Sequence, residues 1–129
     1  MLPKTWDVVS IYTQIPRIPH EKHCIVLNAE RREVFFINSE PPRARKAREM
    51  AVTIANFECH GLYKADSYVD TTDVRVMPAD EWDAAVAKPD KNKGQLLSAV
   101  KARCQGAIKG HGQLTSEQRQ LLGVIDDDC

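Results

Sequence analysis

A chain of 129 residues is one domain's worth and is long enough to bury a hydrophobic core. Its composition, 43% hydrophobic and 28% charged, is that of a soluble globular protein. Its 18 Lys and Arg residues balance 18 Asp and Glu, which excludes a bulk electrostatic argument for nucleic acid, membrane or acidic partners.

Charge is nevertheless segregated. Residues 43–48 read Arg-Ala-Arg-Lys-Ala-Arg and the tail ends Asp126-Asp127-Asp128-Cys129, so local phosphate or charged-partner contacts stay open. No apolar run approaches the roughly 18–20 residues of a membrane span. The N-terminus lacks the apolar core of a signal peptide. Cys24, Cys59, Cys104 and Cys129 show no C-x-x-C spacing, so free thiols and a cytoplasmic location are expected.

In chain order, Trp6–Tyr12 is rich in β-formers and reads as the first strand. Residues 14–22 carry Pro16 and Pro19, too close for a helix, and read as an extended, exposed connection. His23–Leu27 is a short apolar run expected to be a buried strand. It pairs through a polar turn at 28–32 with Glu33–Asn38, and Ser39-Glu40-Pro41-Pro42 ends that hairpin. Residues 43–48 read as one helical turn or a loop, and Met50–Ala55 as another strand. The stretch 61–77 opens on Gly61, presents Asp66-Ser67, and alternates so that Val74 and Val76 point one way, Arg75 and Met77 the other.

The period then changes. A helix is expected over 80–87, capped by Asp80 and stopped by Lys88-Pro89-Asp90. A second, from Asn92 or Lys93, carries Leu97, Val100, Cys104 and Ile108 on one face and ends at Gly110-His111-Gly112. Thr115-Ser-Glu-Gln118 has capping-box form and starts a third helix through Leu122. The acidic tail is expected to be disordered. Strands followed by helices indicate α+β, and short strands between Pro- and Gly-rich turns indicate a small, partly open β-barrel with C-terminal helices. The whole chain is expected to be one domain: barrel over about 6–77, helices over about 80–122, tail over 123–129.

The ordered set Trp6-Asp7-Val8-Val9, Lys22–Leu27, Gly61-Leu62, Asp66-Ser67, Val69 and Arg75, followed by a helix, resembles the MazF/PemK-like toxins of bacterial toxin–antitoxin systems over about residues 6–87. The resemblance implies an SH3-like barrel, a homodimer, a cognate antitoxin and metal-independent endoribonuclease activity on single-stranded RNA. Three features depart from the family pattern. Met77 and Pro78 occupy the positions where an acidic residue usually follows the arginine. Lys22-His23 replaces Arg-Pro, and residues 93–129 exceed the usual length. Related barrels also include toxins that jam a replication or topology protein instead of cutting RNA.

Transesterification needs a base, an acid and positive charge for the developing phosphorane. The catalytic candidates are therefore Arg75 for charge stabilisation, His23 as acid or base, and Asp66 to orient it. Lys22 and Ser67 are candidates for substrate binding. Arg43, Arg45, Lys46 and Arg48 form the one cluster able to track a nucleic-acid backbone, with Tyr63 and Tyr68 as stacking faces. Alternatively, that cluster docks the antitoxin or is simply a solvated loop. His20, His23, Cys24, Cys59 and His60 are metal-ligand types without the regular close pairs of structural zinc sites, so neither a metal nor another cofactor is expected. Three functions remain: a nuclease toxin, a toxin that obstructs a partner protein, and an accessory domain whose barrel scaffolds the 93–122 helices.

Overall fold

The computed structural model describes residues 2–55 and 66–124. Among them run β1 (Asp7–Thr13), β2 (His20–Asn28), β3 (Glu33–Asn38), α1 (Arg45–Met50), β4 (Val52–Ala55), β5 (Asp66–Val76) and α2 (Ala79–Val86). A 3-10 turn (Pro89–Lys91) follows, then β6 (Asn92–Gln95), α3 (Ser98–Lys109) and α4 (Ser116–Leu121). The strands form one antiparallel sheet in the order β4-β5-β3-β2-β1-β6, curled into a half-barrel. The expected α+β class and small-barrel outline agree with this arrangement. Gly61, Leu62 and Tyr63, the Cys59-His60 pair and residues 125–129 of the tail lie outside the described residues, whereas Val124, expected in the tail, is buried in the core.

Side chains alternate across a strand, so a sheet covered on one face shows alternating burial and a sheet covered on both does not. In β2, Cys24, Ile25, Val26 and Leu27 are all fully buried, because each face has its own helical cover. Val8, Ile25, Leu27, Phe35, Ile37, Ile54 and Val69 pack with Val100, Cys104 and Ile108 of α3 and with Leu114 and Leu122. On the other face, Val9, Ile11, Cys24, Val26, Val34 and Phe36 pack with Met77 and with Trp82 and Ala85 of α2. The Val100, Cys104 and Ile108 face of the long C-terminal helix is spent in the first of these cores.

The sequence reading misplaces two features. Residues 92–95 form an edge strand instead of a helix start. Asn-Lys-Gly-Gln has no strand-forming side chain, and Gly94 sits at φ +91°. It is held by pairing with β1 and by the Asp7 carboxylate, which accepts from Asn92 Nδ2 at 3.0 Å and Gln95 Nε2 at 2.6 Å. The helix therefore starts later, and Leu96 is buried while Leu97, at its N-cap, is 51% exposed. Asp80 lies in the first turn of α2, with Pro78 at the N-cap and no side-chain cap bond. α3 does end where the sequence placed its stop, with Gly110 as C-cap, though at φ −79° and so without a left-handed glycine.

The α4 start follows the sequence closely. Thr115 Oγ1 accepts from Gln118 N at 3.1 Å, and Gln118 Oε1 accepts from Thr115 N at 2.9 Å. Thr115→Ala removes one half of this reciprocal cap and is expected to lower stability by about 1 kcal/mol. Urea denaturation would check it as a lower midpoint at unchanged m-value.

Candidate nucleic-acid interface

Arg75 is placed by register. It lies opposite Val34, and its neighbour Val74 lies opposite Phe35. Because Val34 belongs to the α2-side core and Phe35 to the α3-side core, Arg75 projects on the α2 side. In β2, Lys22 has the parity of Cys24 and Val26 and points the same way. The two cations meet over one ring. Lys22 Nζ and Arg75 Cζ each stand 5.6 Å from the centroid of Phe36, itself 8% exposed. The negative face of that ring attracts both charges.

The pair is only partly neutralised. Arg75 Nε reaches both carboxylate oxygens of Asp73, at 3.0 and 3.1 Å, an exposed contact worth little in water. Neither Nη group has a partner among the described residues, and Lys22 makes no hydrogen bond or ion pair there. Burial lowers the pKa of Lys22 and Arg75 lowers it further, against an opposing contribution from Cys24. Two cations held together on a sheet face, with terminal donors free, have the donor chemistry to bind anionic oxygens.

No family model matches the chain, and no curated protein matches it. The site must be read from its own geometry.

That geometry divides the sequence-derived candidates. Lys22 and Arg75 converge. His23 has the parity of Ile25 and Leu27 and faces the α3 side, so strand alternation puts the sheet between it and Arg75. Its Nε2 is buried without a hydrogen-bond partner. Asp66, exposed opposite Ala55, and Ser67, 5% exposed opposite Ile54, sit at the far end of β5 from Arg75. Arg43, Arg45, Lys46 and Arg48 are exposed on and before α1. Within that cluster Arg45 pairs with Glu49 at 3.3 Å, and Arg48 donates to the carbonyls of Pro42 and Arg43 at 3.2 and 2.8 Å. Arg43 and Lys46 remain unengaged among the described residues.

Two contributors escaped the sequence reading. Asp73 supplies the carboxylate sought after Arg75, but from two residues before it. That is the same-face spacing of a strand, so the signal was present. Phe36 joins the site through β3 register alone, which no local pattern reveals. His20 shares the parity of Lys22, and its Nδ1 lies 2.7 Å from the Ile18 carbonyl. Donation to that oxygen fixes the tautomer and leaves Nε2 as the open acceptor.

Two histidines away from this face carry a pH dependence. Burial lowers the pKa of His23, with Lys93 adding to the shift and Glu21 opposing it. Burial also lowers that of His111, with Arg119 adding and Asp70 opposing. His111 Nδ1 accepts from Gln113 N at 3.2 Å, so Nε2–H donates to Thr71 Oγ1 at 3.0 Å; protonation breaks the first of these bonds. Both folded pKa values lie below the unfolded value near 6.5. The unfolded chain therefore binds more protons, and this part of the stability is complete above pH 6.5 and lost as pH falls through the folded values. Urea midpoints should drop between pH 7.5 and 5, and His111→Asn should flatten the drop.

Proposed function

We propose that this chain is a toxin-like RNA-binding protein on a small SH3-like barrel, gripping single-stranded RNA by a backbone phosphate at the Lys22–Phe36–Arg75 face. The single observation carrying this reading is the convergence of two cations over one ring with their terminal donors unpaired. A guanidinium offers two parallel N–H donors to phosphate oxygens, and a neighbouring ammonium adds a point charge. Tyr68 has the parity of Asn38 and Phe36 along the β3–β5 pair and offers a stacking face further along the same side of the sheet.

Binding is better supported than cleavage. The resemblance to MazF/PemK-like toxins implies transesterification, but with His23 turned away the proton transfers fall to His20, the imidazole that alternation puts on this face. The His23–Arg75 separation also favours a second reading, in which the same barrel obstructs a replication or topology protein without cutting RNA.

The test is anisotropy with a labelled mixed-sequence RNA in EDTA across a salt series, with cleavage followed on gels. The logarithm of the association constant is expected to fall linearly with log salt, with a slope of about −0.7 per phosphate neutralised. Arg75→Ala should weaken binding by about 10- to 100-fold, from the loss of charged hydrogen bonds worth roughly 1.5–3 kcal/mol, while His23→Ala leaves it unchanged. Should cleavage occur, His20→Ala and not His23→Ala should abolish it. RNA that stays unbound at 50 mM salt removes the proposal, and protein captured after nuclease treatment would establish the second reading.

A further inference from the structure

Register places a second set of side chains beside the cation pair. Asn38 lies opposite Tyr68, and Tyr68 lies opposite Thr53, so the three form one row across β3, β5 and β4. Their strand neighbours Ile37, Val69, Val52 and Ile54 all belong to the α3-side core. Alternation therefore turns the row to the other side of the sheet, the side of Lys22, Phe36 and Arg75. On that side α2 packs against β1, towards the opposite edge. Thr53 is exposed, and Asn38 and Tyr68 are half-buried.

The row has the chemistry to read a base and not to hold a phosphate. It contains no cation, and Asp66, exposed and two residues from Tyr68 on the same side of β5, brings a negative charge that repels phosphate and attracts an amino group. The Asn38 amide offers donors beside an acceptor, and Thr53 adds a hydroxyl. Neither side chain has a hydrogen-bond partner among the described residues. Between them stands the Tyr68 ring, a stacking surface that any base accepts. Asn38 is two residues from Phe36 along β3, a rise of about 7 Å. A nucleotide held by its phosphate over Phe36 thus reaches the row with its base.

We propose that Asn38, Tyr68 and Thr53 form a base subsite for adenine, an inference that rests on the reading of the Lys22–Phe36–Arg75 face as an RNA phosphate grip. Tyr68 stacks on the base and Asn38 pairs with its edge. Adenine carries an amino donor between two ring acceptors, so either exposed edge matches a carboxamide. Guanine's N7 and O6 edge offers acceptors alone, and uracil has no amino group to meet Asp66. Cytosine matches the amide on one edge but brings a smaller surface to the ring. The cation pair supplies affinity for any sequence, and the row supplies the choice among bases.

The probes are labelled oligouridylates in which one central residue is uridine, adenosine, cytidine or guanosine, titrated against the full chain by anisotropy at 50 mM salt. The adenosine oligomer is expected to bind about tenfold more tightly than the all-uridine one. Purine riboside at the same place, which lacks the amino group, should lose that advantage on unaltered protein. Asn38→Ala should bring the adenosine oligomer to the all-uridine level. Tyr68→Ala should weaken the adenosine oligomer about tenfold, and Tyr68→Phe, which keeps the ring, should restore it within about twofold. Arg75→Ala should weaken all four oligomers and preserve their ratio. Equal binding of the four, a preference for another base, purine riboside binding as well as adenosine, or a preference that survives Asn38→Ala would each overturn the subsite while the phosphate grip stood. Failure of every oligomer to bind would remove the grip and the subsite together.

Discussion

Ile108→Asp is expected to leave most of the chain unfolded at 25 °C. Ile108 is 0% exposed and closes the α3 stripe of Val100 and Cys104 against β4 and β5, beside Leu114 and Leu122. The substitution removes the burial of a large aliphatic side chain, worth roughly 2–5 kcal/mol. It also requires the new carboxyl either to stay charged without a partner or to be protonated at a further cost. Together these exceed about 5 kcal/mol, against a total stability of about 5–15 kcal/mol for a domain of this kind. Far-UV circular dichroism and urea titration would show it. A cooperative transition within 1 kcal/mol of the parent would mean that α3 is not part of the core. Aspartate at Leu96 should be comparably damaging, while at the half-exposed Leu97 it should be tolerated within about 0.5 kcal/mol. That contrast separates the helix start seen in the structure from the one expected from the sequence.

The Leu96/Leu97 pair also shows where the sequence stops being informative. Local signals that act within a few residues were legible. The Thr115–Gln118 box specifies its own hydrogen bonds, and the Glu33–Asn38 run, apolar and β-branched between turn residues, became β3 with those ends. The strand at Asn92–Gln95 was not legible, because nothing in it favours extension. Its conformation is imposed by Asp7 and the β1 edge, from more than 80 residues away. The site shows the same division. The alternation that turns Arg75 away from Val74 was readable, whereas the side of the sheet occupied by His23 was not. Both faces of β2 are apolar, so the run from Cys24 to Leu27 carries no mark of inside and outside. One residue of parity decided that Lys22, and not His23, shares a face with Arg75. Phe36 could be found only from the register of β3 against both neighbours.

Phe36 is where stability and function should separate most clearly. Phe36→Ala is expected to cost about 3–5 kcal/mol, since the ring is almost wholly buried and packs with Cys24, Val34 and Trp82 in the α2-side core. The same change removes the surface over which Lys22 and Arg75 stand, so RNA affinity should be lost with it, but a destabilised protein cannot report on the site by itself. Phe36→Leu resolves the two effects. Leucine retains much of the volume and should cost less than about 1.5 kcal/mol, leaving a folded protein with a normal urea transition. It has no π face, however, and each exposed cation–π contact it removes is worth about 0.5–1 kcal/mol. With only the exposed Asp73 contact left to offset their mutual repulsion, the two cations should splay apart. RNA affinity should then fall about tenfold in a protein that is otherwise sound. An unchanged affinity in Phe36→Leu, together with a loss in Arg75→Ala, would show that the guanidinium works without the ring and that the convergence at Phe36 is packing alone.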